Sequence, residues 1–298
     1  MGVYIGADGG ASKLMLCLSA GGINRFFKVP ECVNPIVCGI DVSARIITDS
    51  MLELCRRSGI PQTEVDGVFA GIAGATESDF KSFLRSRLEE SCPNAVCGVS
   101  HDGENIVYAA FPESVGVVLI SGTGSSCFVR KGGELFRIGG YGAFDLDGSG
   151  YEIGRRAIAH TLKSYDGRAE RTPLCAHTEK LAGGNCLQNL SKLLSLSVRG
   201  NAQFAQAVFA ASREGDEAAE SILDSAARYL AECVNAAARY FTEEFDVCTA
   251  GGVGTNETII KRIKSYAVPR ANIFALQKEP AEGAAAKAEK LHYGRHNL

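Results

Sequence analysis

The chain has 298 residues, 46% of them hydrophobic and 22% charged, a composition that is typical of a globular protein and excludes a disordered one. Its formal net charge is −3 and it has no basic run, so bulk charge does not indicate a nucleic-acid or membrane-surface partner. The length suits two domains, and the longest apolar runs fall short of the roughly 20 residues that span a bilayer.

The first part of the chain predicts three antiparallel strands followed by alternating helices and strands. The predicted strands cover 3–7, 13–20 and 23–29 and are joined by glycine turns. Hydrophobic periodicity then predicts the following elements: a helix over 41–58, a buried strand over 65–70, a helix over 76–90, a strand over 95–100 and a short helix over 102–110.

The first hairpin combines a carboxylate with a glycine turn. Asp8 ends the first strand, and the turn Gly9–Lys13 adds two glycines, a hydroxyl and a lysine. Such a tip offers exposed amide donors that a phosphate can approach without a Cβ in its way, and Asp8 is placed to hold a metal ion or its water. The alternative is an ordinary hairpin with an Asp-Gly turn.

The second part opens in the same way. A buried strand over 115–120 enters the turn Ser121–Ser125, and strands over 126–130 and 134–138 follow. The remaining elements are predicted as helices over 151–163, 174–182, 186–196, 201–213 and 216–244, a strand over 247–250, a further helix and strand reaching 276, and a closing helix over 281–291.

This repetition predicts two related domains. We expect the first to comprise residues 1–112 with 281–298, and the second to comprise 113–280, with a helical insertion and the nucleotide-binding elements. Two opposed hairpin loops would grip a polyphosphate from both sides.

Three further segments are candidate ligand sites. The glycine-rich stretch 139–150 carries Asp145 and Asp147, and Ser149 and Glu152 have capping-box spacing that would leave helix N–H groups free for a ligand. Asp102 follows a buried strand and is either a helix N-cap or, beside a phosphate site, the general base that accepts a proton from a substrate hydroxyl. Gly251 and Gly252 follow another strand, where a flat base or ribose can lie against the backbone.

The 11 cysteines contain no Cys-x-x-Cys pair, and several lie in apolar runs. Buried reduced thiols explain them better than a zinc or iron–sulfur site. The chain enters a strand without a basic leader or a cleavage site, so we expect a cytoplasmic protein.

Together, five motifs in order resemble the N-acetylglucosamine kinase branch of the BadF/BadG/BcrA/BcrD ATPase-like family, within the sugar kinase/Hsp70/actin superfamily. The motifs are Asp8–Lys13, Leu119–Ser125, Gly139–Gly142, Asp147–Tyr151 and Ala250–Val253. The resemblance implies an α/β fold of two RNase H-like (actin-like ATPase) domains facing a central cleft that holds ATP and a sugar.

The resemblance also implies a role for each matching residue. Asp8 would hold Mg²⁺ through water, and Asp102 would be the catalytic base. The expected nucleotide-binding residues are Gly9, Gly10, Ala11, Ser12, Lys13, Thr123, Gly124, Ser125, Gly251 and Gly252. The expected sugar-binding residues are Asn34, Gly74, Asp102, Thr123, Gly140, Tyr141, Gly142 and Asp147.

The chain departs from the family pattern in three places. The segment from Asp145 to Asp147 is one residue shorter than usual, so either carboxylate can be the sugar-binding one, and we choose Asp147. Tyr141 replaces a tryptophan, and Ser12 replaces a threonine. These changes leave the identity of the sugar open.

The sequence therefore predicts an ATP- and Mg²⁺-dependent kinase acting on a hydroxyl of N-acetylglucosamine, glucosamine or N-acetylmuramic acid. One alternative is an ATPase activator of a radical dehydratase or reductase, which would need a cysteine-held cluster. Another is a sugar or nucleotide sensor with weak or lost turnover. We expect a small-molecule sugar as partner, neither nucleic acid nor membrane, and a homodimer as an alternative to a monomer.

Overall fold

The computed structural model of the chain describes residues 2–75, 78–113 and 115–296. It contains two compact units, Met1–Ser114 with Gln277–Leu298, and Val115–Leu276. The predicted boundaries, at residues 112 and 281, lie a few residues away. Within the described ranges, no helix combines the length and apolar character needed to cross a membrane.

Both units combine strands with helices. In chain order, the strands are β1 (Val3–Gly9), β2 (Leu14–Ala20), β3 (Ile23–Val29), β4 (Gly67–Ile72), β5 (Val96–Ser100), β6 (Gly116–Ser121), β7 (Ser125–Lys131), β8 (Glu134–Ile138), β9 (Phe245–Ala250) and β10 (Ala271–Ala275). The helices are α1 (Pro35–Cys38), α2 (Ile40–Ser58), α3 (Ser78–Ser91), α4 (Gly103–Ala110), α5 (Gly150–Tyr165), α6 (Pro173–Ala182), α7 (Leu190–Leu194), α8 (Val198–Gln203), α9 (Ala205–Arg213), α10 (Glu217–Ala237), α11 (Gly251–Gly254), α12 (Glu257–Tyr266) and α13 (Pro280–His296).

The first unit is built on a five-stranded mixed sheet in the order β3-β2-β1-β4-β5. Strands β1, β2 and β3 are antiparallel neighbours, as the glycine turns predict, whereas β4 and β5 run parallel to β1. Because parallel neighbours end at the same edge, the carboxyl ends of β1, β4 and β5 lie side by side.

The two faces of this sheet bury different kinds of side chain. Ile5 and Ala7 face a core shared with Met51 of α2, whereas Tyr4 packs on the alanines of α13. The alanine-rich helix comes so close that a Cβ on Gly6 would lie 2.2 Å from its backbone. The absence of a side chain at Gly6 therefore lets α13 cover the sheet.

The second unit repeats this topology, in the order β10-β9-β6-β7-β8. Strands β6, β7 and β8 form the antiparallel meander, and β9 and β10 run parallel to β6. Val117 and Leu119 of β6 are fully buried in a core that includes Leu230 of α10 and Ile153 of α5. The predicted repeat is thus present in the structure.

The helical insertion differs in detail from the prediction. The helix expected over 201–213 is broken at Phe204, which is buried between α8 and α9. The helix expected over 216–244 ends at Ala237, and Arg270 satisfies carbonyls that follow it by donating to Ala238 O and Phe241 O, at 2.9 and 2.7 Å. The short helix α1 is absent from the prediction, and the first two residues of the helix expected over 76–90 lie outside the described residues.

Candidate functional site

Asp8 lies near the carboxyl end of β1 in the first unit. Its Oδ1 accepts a hydrogen bond of 2.8 Å from the side-chain amide of Asn105. Burial raises the pKa of Asp8 to about 6, with a further rise from the charge of Asp102 and an opposing effect of Asn105 and of Lys13. The carboxylate is therefore mostly ionised at neutral pH and close enough to Asp102 to sense its charge.

The turn Gly9–Lys13 is held by backbone hydrogen bonds to two other segments. Gly10 N donates to Lys13 O at 3.0 Å, Val33 N donates to Gly10 O at 2.9 Å, and Ala73 N donates to Gly9 O at 2.8 Å. A Cβ on Gly10 would meet no heavy atom of the described residues within 4 Å. The three predicted residues that complete the turn are exposed: Ala11, Ser12 and Lys13.

The structure brings two predicted sugar-binding residues into contact. Asn34 caps α1 by accepting a 2.9 Å hydrogen bond from Ile36 N. A Cβ on Gly74 would lie 2.5 Å from Asn34 Oδ1. The cap therefore fixes the orientation of the Asn34 amide beside Gly74.

Asp102 stands at the position before the first residue of α4. Its side chain makes no capping hydrogen bond with the described residues of that helix, so the alternative of a simple N-cap is not realised. Burial raises the pKa of Asp102 against the opposing effects of His101 and of the Gly103 amide. A half-buried carboxylate with a raised pKa is a stronger base than a solvated one, as a general base needs to be.

In the second unit, the turn Ser121–Ser125 is fixed by its neighbours. Ser121 Oγ donates to Gly148 O at 2.6 Å, and Ser125 Oγ donates to Asp147 O at 2.7 Å. Among the described residues, nothing lies within 4 Å of the position that a Cβ on Gly124 would take. The tip of the turn, with Thr123 and Gly124, is therefore accessible to a ligand.

The N-terminus of α5 holds this turn in place. Gly150 N donates to Gly122 O at 2.7 Å, Tyr151 N donates to Thr123 O at 3.2 Å, and Glu152 N donates to Ser149 Oγ at 3.2 Å. The predicted Ser149 cap is present. The expectation that the first helical N–H groups stay free for a ligand is wrong, because the turn Ser121–Ser125 uses them.

Asp145 and Asp147 have different surroundings. Asp145 Oδ2 accepts a 2.7 Å hydrogen bond from Gly140 N, and Oδ1 accepts one from the hydroxyl of Tyr229 in α10. We call these three residues the Asp145 latch. Asp147 is exposed. Each oxygen of Asp145 thus accepts one hydrogen bond within the unit, which orients this carboxylate, and the choice of Asp147 as the sugar-binding residue stays a prediction.

The glycine loop from Gly139 to Gly142 lies against the turn Ser121–Ser125. Gly140 has a φ of +73°, and a Cβ there would lie 2.6 Å from Ser125 O, so glycine is required for two reasons. The side chain of Tyr141 is exposed, with the Arg137 guanidinium 5.6 Å from its ring centre. The aromatic ring and the neighbouring Gly142 are thus presented at the surface of this loop.

The predicted adenosine-binding glycines meet the same turn. Gly251 has a φ of +85°, and a Cβ on it would lie 2.4 Å from Ser121 O. Apart from its own neighbours in the chain, no heavy atom of the described residues lies within 4 Å of the position that a Cβ on Gly252 would take. Within each unit, the predicted site residues therefore lie close to one another.

The residues of the first unit fit a magnesium ion. Mg²⁺ is usually bound by one or two carboxylates together with waters and substrate phosphates, and Asp8 supplies such an oxygen ligand. Groups of three or more His, Cys, Asp or Glu side chains suited to a metal are not found among the described residues.

All 11 cysteines are free, and burial raises the pKa of Cys17, Cys92 and Cys248 to about 12.

Two residues of the site carry no signal in the sequence. Asn105 and Tyr229 contact carboxylates that lie 97 and 84 residues away in the chain. Neither belongs to a motif, so sequence reasoning alone does not find them.

Comparisons with known proteins agree with this site. A sequence model of the BadF/BadG/BcrA/BcrD ATPase family matches residues 5–288, which confirms the family resemblance. The N-acetylmuramic acid/N-acetylglucosamine kinase of Clostridium acetobutylicum is 29% identical over 95% of this chain and 97% of its own length. The N-acetyl-D-glucosamine kinase of Dictyostelium discoideum is 25% identical over 96% of this chain and 97% of its own length.

The fold is also that of a solved structure. A candidate N-acetylglucosamine kinase from Chromobacterium violaceum superimposes with a TM-score of 0.78 at 21% identity, covering 98% of this chain and 99% of that one. This likeness confirms the predicted α/β fold class.

Proposed function

We propose that this chain, which belongs to the BadF/BadG/BcrA/BcrD ATPase family, is an ATP-dependent kinase that phosphorylates a hydroxyl of an amino sugar. The observation that carries the proposal is the pair of carboxylates in the first unit. Asp8 is held by a hydrogen bond from Asn105, whereas Asp102 is half-buried, has a raised pKa and makes no cap with the described residues of α4. One carboxylate is thus fixed, as a metal ligand needs to be, and the other is available as a base.

Each group has a defined part in the reaction. Asp102 accepts the proton of the attacking hydroxyl, and the amides of the turns Gly9–Lys13 and Ser121–Ser125 donate to phosphate oxygens. The ribose or base of the nucleotide lies on Gly251 and Gly252, where a side chain is missing. Mg²⁺ held by Asp8 directly or through water would neutralise charge on the transferring phosphoryl group.

The amino sugar is N-acetylglucosamine, glucosamine or N-acetylmuramic acid. The kinases of Clostridium acetobutylicum and Dictyostelium discoideum act on N-acetylglucosamine by name, and the first of them also acts on N-acetylmuramic acid. The residues proposed to contact the sugar are Asn34, Gly74, Asp102, Thr123, Gly140, Tyr141, Gly142 and Asp147.

A coupled ADP-release assay over these three sugars and glucose tests the proposal. Asp102→Asn should lower sugar-dependent turnover by roughly 10²- to 10⁴-fold, the usual contribution of a positioned base, while nucleotide affinity stays unchanged. Asp49→Asn, which alters an exposed carboxylate of α2, is the matched control and should keep wild-type turnover.

The outcomes separate the candidate functions. ADP release that depends on an amino sugar supports the kinase, and unchanged turnover in Asp102→Asn would remove that residue as the base. ATP consumption without a sugar would instead indicate an ATPase. Binding of sugar and nucleotide without any turnover would indicate a sensor.

A further inference from the structure

We propose that Asn105 is a positioning residue that fixes the Asp8 carboxylate for its metal ion and ties it to the neighbouring strand ends. The inference rests on the proposed kinase function, which assigns the metal to Asp8. Asn105 itself touches neither nucleotide nor sugar in this proposal.

One amide nitrogen makes all the contacts that carry the proposal. The two N–H groups of Asn105 Nδ2 are shared among three acceptors, Asp8 Oδ1 at 2.8 Å, Gly71 O at 3.0 Å and Ala7 O at 3.2 Å. Ala7 and Asp8 belong to β1, and Gly71 belongs to the adjacent strand β4. We call this arrangement the Asn105 bridge, since a single side chain joins the carboxyl ends of two parallel strands to the carboxylate.

The surrounding chain is shaped to admit this side chain. Asn105 is completely buried. A Cβ on Gly71 would lie 2.1 Å from Asn105 Oδ1, and its three nearest atoms all belong to the Asn105 amide. Glycine at position 71 therefore makes the room that the amide occupies.

The buried amide is not the choice that stability alone would favour. Among the described residues, Asn105 Oδ1 has no hydrogen-bond partner although it is shielded from water. Burying a carbonyl oxygen without a partner is unfavourable, and an apolar side chain of similar size would avoid this. The amide is therefore explained by the acceptors that its nitrogen serves, the Asp8 carboxylate and the two strand carbonyls.

The bridge leaves one carboxylate oxygen for the metal. Because Oδ1 of Asp8 accepts from Asn105, the side chain cannot rotate freely, and Oδ2 is left for a metal ion or its water. Asn105 N also donates to Asp102 O at 3.1 Å, so the first turn of α4 positions the proposed base and the proposed metal ligand together. Partners of this kind orient metal ligands, and their loss typically lowers metal affinity or activity about 10- to 100-fold.

Two variants break the bridge in independent ways. Asn105→Leu replaces the amide with an apolar side chain of similar shape. Gly71→Ala leaves Asn105 in the chain but displaces its amide, and it keeps the proposal testable if the first variant does not fold. Thr48→Val is the matched control, because it removes a buried hydroxyl of the same unit that donates within α2, to Ala44 O at 3.0 Å.

The main readout is ADP binding by titration calorimetry with and without Mg²⁺, which requires no turnover. We expect each bridge variant to bind ADP with wild-type affinity when Mg²⁺ is absent. The increase in ADP affinity on adding Mg²⁺ should be about tenfold smaller than in the wild type. In the kinase assay we expect kcat to fall about tenfold or more and the half-saturating Mg²⁺ concentration to rise, with the KM for the sugar unchanged. Thr48→Val should match the wild type in every measurement.

The result that would overturn the inference is a folded bridge variant with the wild-type gain in ADP affinity on adding Mg²⁺. A loss of metal-free ADP binding equal to the loss with Mg²⁺ would also overturn it, since that pattern indicates general damage. If the wild type bound Mg²⁺-ADP but showed no sugar-dependent turnover, the proposed function would fail while the calorimetric test of the bridge would still stand.

Discussion

Replacing Asp8 with asparagine should make the metal-free protein more stable at neutral pH while removing Mg²⁺-dependent turnover. Burial raises the pKa of Asp8 from 3.8 to about 6, so ionising this group is less favourable in the folded protein than in the unfolded chain. The folded protein therefore binds the Asp8 proton more tightly than the unfolded chain does. The stability that this provides is fully present below about pH 3.8 and is lost as the pH rises through about 6. The Asp8→Asn variant does not ionise, and its side-chain oxygen can still accept from Asn105.

The magnitude follows from the interval between the two pKa values. Each pKa unit corresponds to about 1.4 kcal/mol, so a rise from 3.8 to about 6 gives an upper value of about 3 kcal/mol at pH 7.5. Asp8 is only partly buried, and screening by water reduces the expected gain to about 1–2 kcal/mol. Below pH 4 the gain should approach zero.

Urea denaturation in EDTA, without nucleotide, between pH 4 and pH 7.5 measures this difference. Glu89→Gln, which neutralises an exposed carboxylate on α3, is the control and should show little dependence on pH relative to the wild type. A gain that is the same at every pH, or a loss of stability at pH 7.5, would refute the account of Asp8 as a carboxylate held in an unfavourable environment.

Other variants probe the second unit. Tyr229→Phe breaks the Asp145 latch and should raise the KM for the sugar several-fold while the KM for ATP stays unchanged. Equal changes in the two KM values would contradict a role of the latch in sugar binding. Gly251→Ala should weaken ADP binding about tenfold. Gly215→Ala is the control, because Gly215 also has a positive φ but has open space around it, and this variant should bind ADP as the wild type does. Similar affinities in the two variants would refute a nucleotide contact. Ser149→Ala should lower the free energy of unfolding by about 1 kcal/mol, and an unchanged urea midpoint would contradict the cap.

The sequence predicts most of the fold because local signals agree with the tertiary structure. The hairpin Val3–Ala20 has glycines at its turn and apolar runs on both sides, and the structure pairs it in register from Val3 with Ala20 to Gly9 with Leu14. Hydrophobic periodicity predicts the long helices because there, too, the local pattern agrees with the tertiary structure. Periodicity does not predict the break at Phe204 or the end of α10, where tertiary contacts are made: Phe204 is buried, and Arg270 binds the carbonyls that follow α10.

The candidate site divides in the same way. Glycine turns and lone carboxylates after strands are visible in the sequence, so Asp8, Asp102 and the turn Ser121–Ser125 are predicted from it. The hydrogen-bond partners of the first N–H groups of α5 cannot be predicted from the sequence, because the acceptors Gly122 O and Thr123 O lie next to them only in the folded unit. Local patterns identify which residues can bind a ligand, and the fold decides which of their atoms remain for one.

Asp145 and Asp8 illustrate the same physical requirement in the two units. Each is a carboxylate in a segment that is predicted to contact a ligand. Each accepts a hydrogen bond from a helix distant in sequence: Asp145 from Tyr229 of α10, and Asp8 from Asn105 of α4. The two differ in their donors: both oxygens of Asp145 accept a hydrogen bond, whereas the Asn105 amide donates to Oδ1 of Asp8. A hydrogen bond orients a carboxylate and leaves it lone pairs with which to bind a cation. This difference supports the proposal that Asp8, oriented by Asn105, is the metal ligand.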